Sequence, residues 1–231
     1  MYVMCHLLSG LLLGILLSLP SGDRRLALAC TLGAVLPDMV DKPLGLLISG
    51  TVGYGRIYSH SLAMWLVLIG VCVAYWAFSR RTTRSPGLFI ALGLGFFLHQ
   101  ALDAMWLQPA TWFWPLLGPF PPGEEIALIP YILADLLQPA EWLAGTAFLF
   151  LLAGLRGDVH PGVKISAGLS VLLGFSAFWL ILCAAGGSLC PLTGWDSRGD
   201  NLVVALVLLG GAICIDWERG RVMPGGRLDP P

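Results

Sequence analysis

GLFIALGLGFFLHQALDAMWL, residues 87–107, contains a single charged side chain, Asp103, and a single histidine, His99. A helix rising 1.5 Å per residue over this length covers roughly the 30 Å hydrocarbon core of a bilayer, so the stretch reads as a membrane span. An ionisable group near the centre of such a run costs on the order of 2.5–3.5 kcal/mol on insertion scales, which favours neutralisation by a partner or a cation. His99 and Asp103 are spaced i, i+4, so both side chains leave one face of the helix and can share one ion.

The same pattern recurs along the chain. Apolar stretches lie near residues 4–20, 25–37, 60–78, 139–155, 164–185 and 201–217, making seven candidate spans with the one above. The 231 residues are 57% hydrophobic and 12% charged, against roughly 25% charged in soluble domains; the mean hydropathy is +0.80. A soluble domain is excluded. The net charge of −1 supplies no basic stripe for phosphates, so nucleic acid is not an obligate partner. The expected fold class is all-α, a polytopic membrane helix bundle of about seven spans, with the lipid bilayer as first partner. The 25–37 segment reaches only about 20 Å and stops at Pro37, and 126–137 reads as an interfacial or re-entrant helix.

No basic region precedes the first span, and Asp23, Arg24 and Arg25 follow it, so it reads as a retained span with its N-terminus outside. Seven crossings then place Arg24, Arg25, Arg80, Arg81, Arg84, Arg156, Lys164, Arg219, Arg221 and Arg227 inside, and only Lys42, Arg56 and Arg198 outside. That asymmetry satisfies the positive-inside rule and puts the C-terminus inside. The location expected is a cell (inner) membrane, crossed several times. The orientation rests on Lys and Arg alone, yet it gathers His6, Asp38, Asp41, His60, His99, Asp103 and Glu141 towards the outer side. His160 falls in an inner loop and reads as a solvated residue. Residues 106–125, with Trp106, Trp112, Phe113 and Trp114, suit the headgroup layer equally as an aromatic belt or as a substrate lip. The tail from 224 to 231, rich in Pro and Gly, reads as a disordered inner end.

Cys5, Cys30, Cys72, Cys183, Cys190 and Cys214 form no CxxC pair, so neither a zinc ribbon nor a redox motif is indicated. Most read as small apolar fillers. Cys183 and Cys190 flank an outer loop, the one place where a disulfide has an oxidising surrounding.

Imidazole and carboxylate together are a ligand set for divalent metals. His6, Asp38, Asp41, His60, His99 and Asp103 supply N and O ligands for one to two ions, with zinc favoured by the histidines. Asp41 or Glu141 is placed to act as general base, Glu141 alternatively as a ligand, and Arg56 is placed to clamp an anionic oxygen. Such a site lowers the pKa of bound water to about 7 and suits hydrolysis.

His6, GAVLPDMVD (33–41), RIYSHS (56–61), HQALD (99–103) and WFWP (112–115) resemble, in this order, the blocks of the YdjM-type membrane-bound metal-dependent hydrolases. That family is regarded as a distant relative of zinc-dependent phospholipase C and the zinc-dependent single-strand nucleases. The resemblance implies phosphoester hydrolysis with His6, Asp38, His60, His99 and Asp103 as metal ligands. Two departures stand out: Asp41 comes one residue later than the family's second acidic residue, and the later His and HxxxE ligands of the soluble enzymes are missing, with Glu141 a replacement for the last.

The function expected is a membrane-bound metal-dependent hydrolase, phospholipase C-like, cleaving a phosphoester of a lipid or amphiphilic substrate at the outer face. Residues 1–155 form the hydrolase core, and 156–231 add transmembrane helices and a short cytoplasmic tail. The competing readings are an ion- or proton-coupled transporter, which predicts internal repeats that the sequence lacks, and a non-catalytic membrane scaffold. Serine hydrolysis ranks low, because Ser59 and Ser61 diverge by about 100° from His60 on a helix and no GxSxG is present.

Overall fold

The computed structural model describes residues 3–51, 53, 55–78, 86–120, 126–156 and 163–222. Arg80, Arg81, Arg84, His160 and the tail from 224 to 231 lie outside the described residues. Every regular element among those described is helical: α1 (Val3–Ser18), α2 (Arg25–Ser49), α3 (Leu62–Phe78), α4 (Gly87–Leu102), α5 (Pro109–Trp112), α6 (Leu128–Leu136), α7 (Pro139–Arg156), α8 (Val163–Gly186) and α9 (Arg198–Val222), with a 3-10 turn at Met105–Leu107. The all-α class read from the sequence is the class observed. Contacts divide the chain into two compact units, one of Met1 with Ser9–Asp135 and one of Tyr2–Leu8 with Leu136–Pro231.

Helix lengths correct the span count. Two helices, α8 over Lys164–Gly186 and α9 over Arg198–Gly220, are long and apolar enough to cross a membrane, where seven spans were expected. Four shorter apolar helices, α1, α3, α4 and α7, fall below that length, and the 16 residues of α1 or α4 rise only about 24 Å. The cause is visible at their ends. α4 stops at Leu102 and the chain turns at Ala104, φ +50°, before the 3-10 turn. α3 starts only at Leu62, so His60 lies in a turn ahead of the helix rather than opening it.

α2 departs furthest from expectation. It does not stop at Pro37 but runs through Pro37 and Pro43 to Ser49, ending where Gly50 adopts φ +73° and returns its N–H to the Leu46 carbonyl. A proline inside a helix removes one N–H and opens the backbone around it, at a cost of about 3 kcal/mol when nothing compensates. The N–H missing at Pro37 would have bonded the Gly33 carbonyl, and the surrounding backbone is held from outside the helix: Ser59 Oγ donates to Pro37 O at 2.8 Å, and His99 Nδ1 lies 2.7 Å from Ala34 O. Asp38 and Asp41 therefore share one continuous helix.

Small residues let the helices of the first unit approach closely. A Cβ added at Gly33 would overlap the Leu92 carbonyl and come within 2.9 Å of Phe96 N; one added at Gly95 would overlap the Cys30 carbonyl and come within 3.0 Å of Ala34 N. α2 and α4 thus cross backbone to backbone through two opposed glycines. On the other side of α2, Gly10 and Gly14 of α1 meet Thr31, Ala34 and Ala27 in the same way. α3, by contrast, buries only Cys72 and exposes apolar side chains such as Leu66, Val67, Val71 and Phe78. An apolar surface of that extent is at home in lipid rather than water.

In the second unit, Ser170 Oγ of α8 donates to Ala212 O of α9 at 3.1 Å, and Gly211 of α9 leaves room for Leu8, Ala147 and Leu173. The loop between α8 and α9 is held by a bridge between Cys190 and Trp195 and by Thr193 Oγ1 on Asn201 Oδ1 at 2.6 Å. Cys183 and Cys190 are free thiols.

The glycine crossing predicts opposite outcomes for one chemical change. Gly33→Ala and Gly95→Ala should each lose about 2 kcal/mol or more of stability, because the backbone opposite cannot give way. Gly70→Ala, where an added Cβ meets nothing within 4 Å, should leave the thermal midpoint of the detergent-purified protein unchanged or slightly raised.

Candidate metal centre

The close crossing of α2 on α4 brings His99, in the last turn of α4, beneath a carbonyl of α2. His99 Nδ1 stands 2.7 Å from Ala34 O. A carbonyl only accepts, so Nδ1 carries the proton and Nε2 presents a lone pair.

His60 reaches the same tautomer by another route. Asp41 is fully buried on α2, and its carboxylate accepts the backbone N–H groups of Ile57 at 2.9 Å, Ser59 at 3.0 Å and His60 at 3.2 Å. His60 Nδ1 lies 2.7 Å from Asp41 Oδ2. Three backbone N–H donors and the imidazole all point at this carboxylate, an arrangement that favours its ionised form. An ionised carboxylate has no proton to give, so the proton of this bond belongs to His60 Nδ1 and His60 Nε2 also presents a lone pair.

The two Nε2 atoms face each other at 3.1 Å. Two acceptors at hydrogen-bond distance repel unless a cation, a proton or a metal ion, lies between them. Around them stand two carboxylate oxygens: Asp38 Oδ1 at 3.7 Å from His60 Nε2 and 3.9 Å from His99 Nε2, and Asp103 Oδ2 at 3.8 and 3.9 Å. Ligands about 2.0–2.1 Å from a tetrahedral zinc ion are separated from one another by roughly 3.3 Å. The observed separations bracket that value on the wide side, and all four donor types suit zinc. His60, His99 and Asp103 satisfy the spacing of a metal-holding group by themselves.

Each aspartate is held by a cation. Lys42 Nζ, one turn along α2, binds Asp38 Oδ2 at 2.8 Å, leaving Oδ1 towards the imidazoles. Arg56 Nε binds Asp103 Oδ2 at 3.1 Å, with the Arg56 side chain 40% exposed. Asp38, Asp41 and Asp103 against Lys42 and Arg56 leave one net negative charge, which a divalent ion would turn into one net positive charge.

The loop that carries His60 is fastened on both sides. Gln100 Nε2 donates to Ser59 O at 3.1 Å and to Ser61 O at 3.0 Å, while Trp112 Nε1 donates to Gln100 Oε1 at 3.3 Å. The Tyr58 ring packs edge-on against Trp114 and Phe120, with centroids 5.2 and 5.0 Å away. The aromatic segment is thus bonded to the residue next to His99 and packed on Tyr58, two residues before His60.

Of the residues singled out from the sequence, Asp38, His60, His99 and Asp103 converge, Asp41 stands behind His60, and Arg56 stands beside Asp103. Asp41 is therefore placed to orient His60, with both oxygens committed to donors. His6 and Glu141 belong to the second unit. His6 is buried on α1. Glu141, in the first turn of α7, accepts the Met4 N–H with both oxygens, at 3.2 and 2.9 Å, and so satisfies a donor that the first turn of α1 cannot pair internally. Lys42, Gln100 and the Ala34 carbonyl escaped the sequence reading. Lys42 carried a signal, its i, i+4 spacing from Asp38.

A family model described as YdjM inner membrane protein matches residues 1–185. The chain belongs to this family. The YdjM match includes the whole group around His60 and His99 and ends at the close of α8, leaving α9 beyond it. YdjM proteins are inner membrane proteins, which accords with the lipid-type surface of α3 and places this chain at that membrane in contact with the bilayer. No curated protein and no solved structure matches the chain.

Asp41→Asn should expose how much of the site rests on that carboxylate. The amide presents an NH2 where three backbone N–H groups and an imidazole N–H need an acceptor, so a loss on the order of 3 kcal/mol is expected in the unfolding of the purified protein. Asp23→Asn, in the exposed turn between α1 and α2, is the control and should be near neutral.

Proposed function

We propose that this chain is a membrane-bound metal-dependent hydrolase that cleaves a phosphoester of a lipid or other amphiphile. The observation that carries the reading is the pair of imidazole Nε2 atoms set 3.1 Å apart between Asp38 and Asp103. Both rings are locked by their Nδ1 partners with lone pairs inward, as second-partner hydrogen bonds orient metal-binding histidines. The four donors serve one divalent ion, zinc by their type, with manganese or iron compatible with the same atoms. Such an ion supplies a Lewis acid and a water of pKa near 7.

The residues of the chain do the rest. Lys42 and Arg56 hold the two aspartates with one oxygen each turned to the imidazoles. Arg56 spends Nε on Asp103, and its terminal nitrogens are the donors a phosphoryl oxygen takes. Asp41, whose oxygens are committed to His60 and to backbone N–H groups, acts as a positioning residue. The shorter helices belong to the same proposal as crossings of a thinned or locally adapted bilayer, with the site towards the outer, periplasmic side.

A second reading draws on the same distance. One proton shared between the two Nε2 atoms would also relieve their opposition, as in a relay of a proton-coupled transporter. Metal content separates the two. Detergent-purified wild type should hold about one equivalent of zinc by elemental analysis. The His99→Ala, Asp103→Ala double variant should lose it while remaining monodisperse. Metal-loaded wild type should then hydrolyse an aryl or lipid phosphoester that the double variant leaves intact. Folded wild type without metal, even after resupply of zinc, manganese or iron, would overturn the hydrolase and favour the shared proton. His6→Ala and Glu141→Gln, assayed alongside, test the ligand and base roles that the sequence assigns to them.

A further inference from the structure

Residues 106–117 join two properties that a membrane-facing segment need not combine. Outwardly the segment is apolar and open: Leu107 is 74% exposed, Leu116 84% and Leu117 57%, with Trp106 and Phe113 also exposed. Inwardly it is bonded to the site, because Trp112 Nε1 donates to Gln100, which itself grips the carbonyls on either side of His60. The neighbouring Trp114 packs on Tyr58, two residues before His60. An aromatic belt that only marks the headgroup layer has no reason to be hydrogen-bonded to the residue adjacent to His99. Arg56, partly exposed, holds Asp103, three residues before the segment, in a group whose charge would become positive with a dication bound.

An anionic centre and a hydrocarbon chain in one molecule would fit this pairing, the anion at Arg56 and the chain along the leucines. We propose that residues 106–117 form the lip that binds the hydrocarbon chain of the substrate, so that the site takes long-chain phosphates from the bilayer and discriminates against water-soluble ones. This rests on the functional reading above for the identity of the head group, but chain binding requires no turnover.

The test is equilibrium binding of radiolabelled hexadecyl phosphate to the full chain in phosphatidylcholine nanodiscs, with ethyl phosphate as competitor. Wild type should bind hexadecyl phosphate saturably above protein-free discs, with ethyl phosphate competing only weakly. Leu116→Asp with Leu117→Asp should weaken hexadecyl phosphate binding by about tenfold or more, since chain burial is lost while the site is untouched. Both side chains are exposed, so folding should survive; Leu107→Asp is the independent second variant and should act in the same direction. Equal binding by wild type and both variants, or ethyl phosphate competing as well as unlabelled hexadecyl phosphate, would overturn the lip. Metal content and hydrolysis of a soluble aryl phosphate, measured on the same samples, keep the two readings apart. Hydrolysis without chain preference removes the lip and leaves the hydrolase; chain-dependent binding without metal or hydrolysis removes the hydrolase and leaves the lip.

Discussion

The approach of α2 and α4 through Gly33 and Gly95 is the constraint on which the centre depends. Only without side chains at these two positions can the backbones come close enough for the Ala34 carbonyl to reach His99 Nδ1. That single bond decides the tautomer of His99, and with it the direction of a lone pair. The same approach sets Asp38, one turn beyond Ala34 on α2, opposite Asp103 at the end of α4. The chemistry of the site is therefore a consequence of helix packing rather than of a flexible loop closing on an ion. Pro37 belongs to this arrangement. The carbonyls of Ala34 and Pro37, on either side of the helix turn that Pro37 disturbs, accept from His99 and Ser59, and these tertiary bonds hold α2 through the proline.

Asp41 plays the corresponding part for the loop. A connection between two membrane-type helices cannot bury its backbone N–H groups without acceptors. One carboxylate satisfies three of them and the His60 ring as well. A neutral acceptor could not do so as strongly, since hydrogen bonds to ionised groups are shorter and roughly twice as strong. The loop geometry and the His60 tautomer are thus fixed together by one buried charge, and Gln100 closes the loop from the α4 side.

Much of this was legible in the residues. Long uncharged runs announced helices and a membrane, HxxxD announced two polar side chains on one face, and the ordered blocks from GAVLPDMVD to WFWP announced the family. What escaped was tertiary. The rule that proline ends a helix is local, and α2 overrides it with its backbone on both sides of Pro37 held by residues of the loop and of α4. Two apolar runs overstated helix length because residues at one end are drawn into turns that build the site: His60 precedes α3 and Asp103 caps α4. The bonds of Asp41 to three backbone N–H groups could not be read in advance, since no side-chain pattern records them. Gln100 was invisible for the same reason, as its bonds go to main-chain carbonyls 39 and 41 residues away.

The placement of Lys42 and Arg56 bears on when such a site can form. Two buried carboxylates facing two imidazoles would carry a strong uncompensated negative charge, and in a membrane that charge would oppose folding until an ion arrived. Small metal domains accept this and fold only with the ion bound. Here Asp38 and Asp103 each already have a cationic partner, so with Asp41 the group stands one charge below neutrality by itself and would stand one above with a dication. The helices can then assemble around a preformed centre whose rings are oriented by Ala34 and Asp41. The same near-balance leaves a bound dication incompletely neutralised by the protein, and an anion at Arg56 would complete it. On the proposed reading, folding without the ion and affinity for an anionic head group would both follow from this one arrangement of charges.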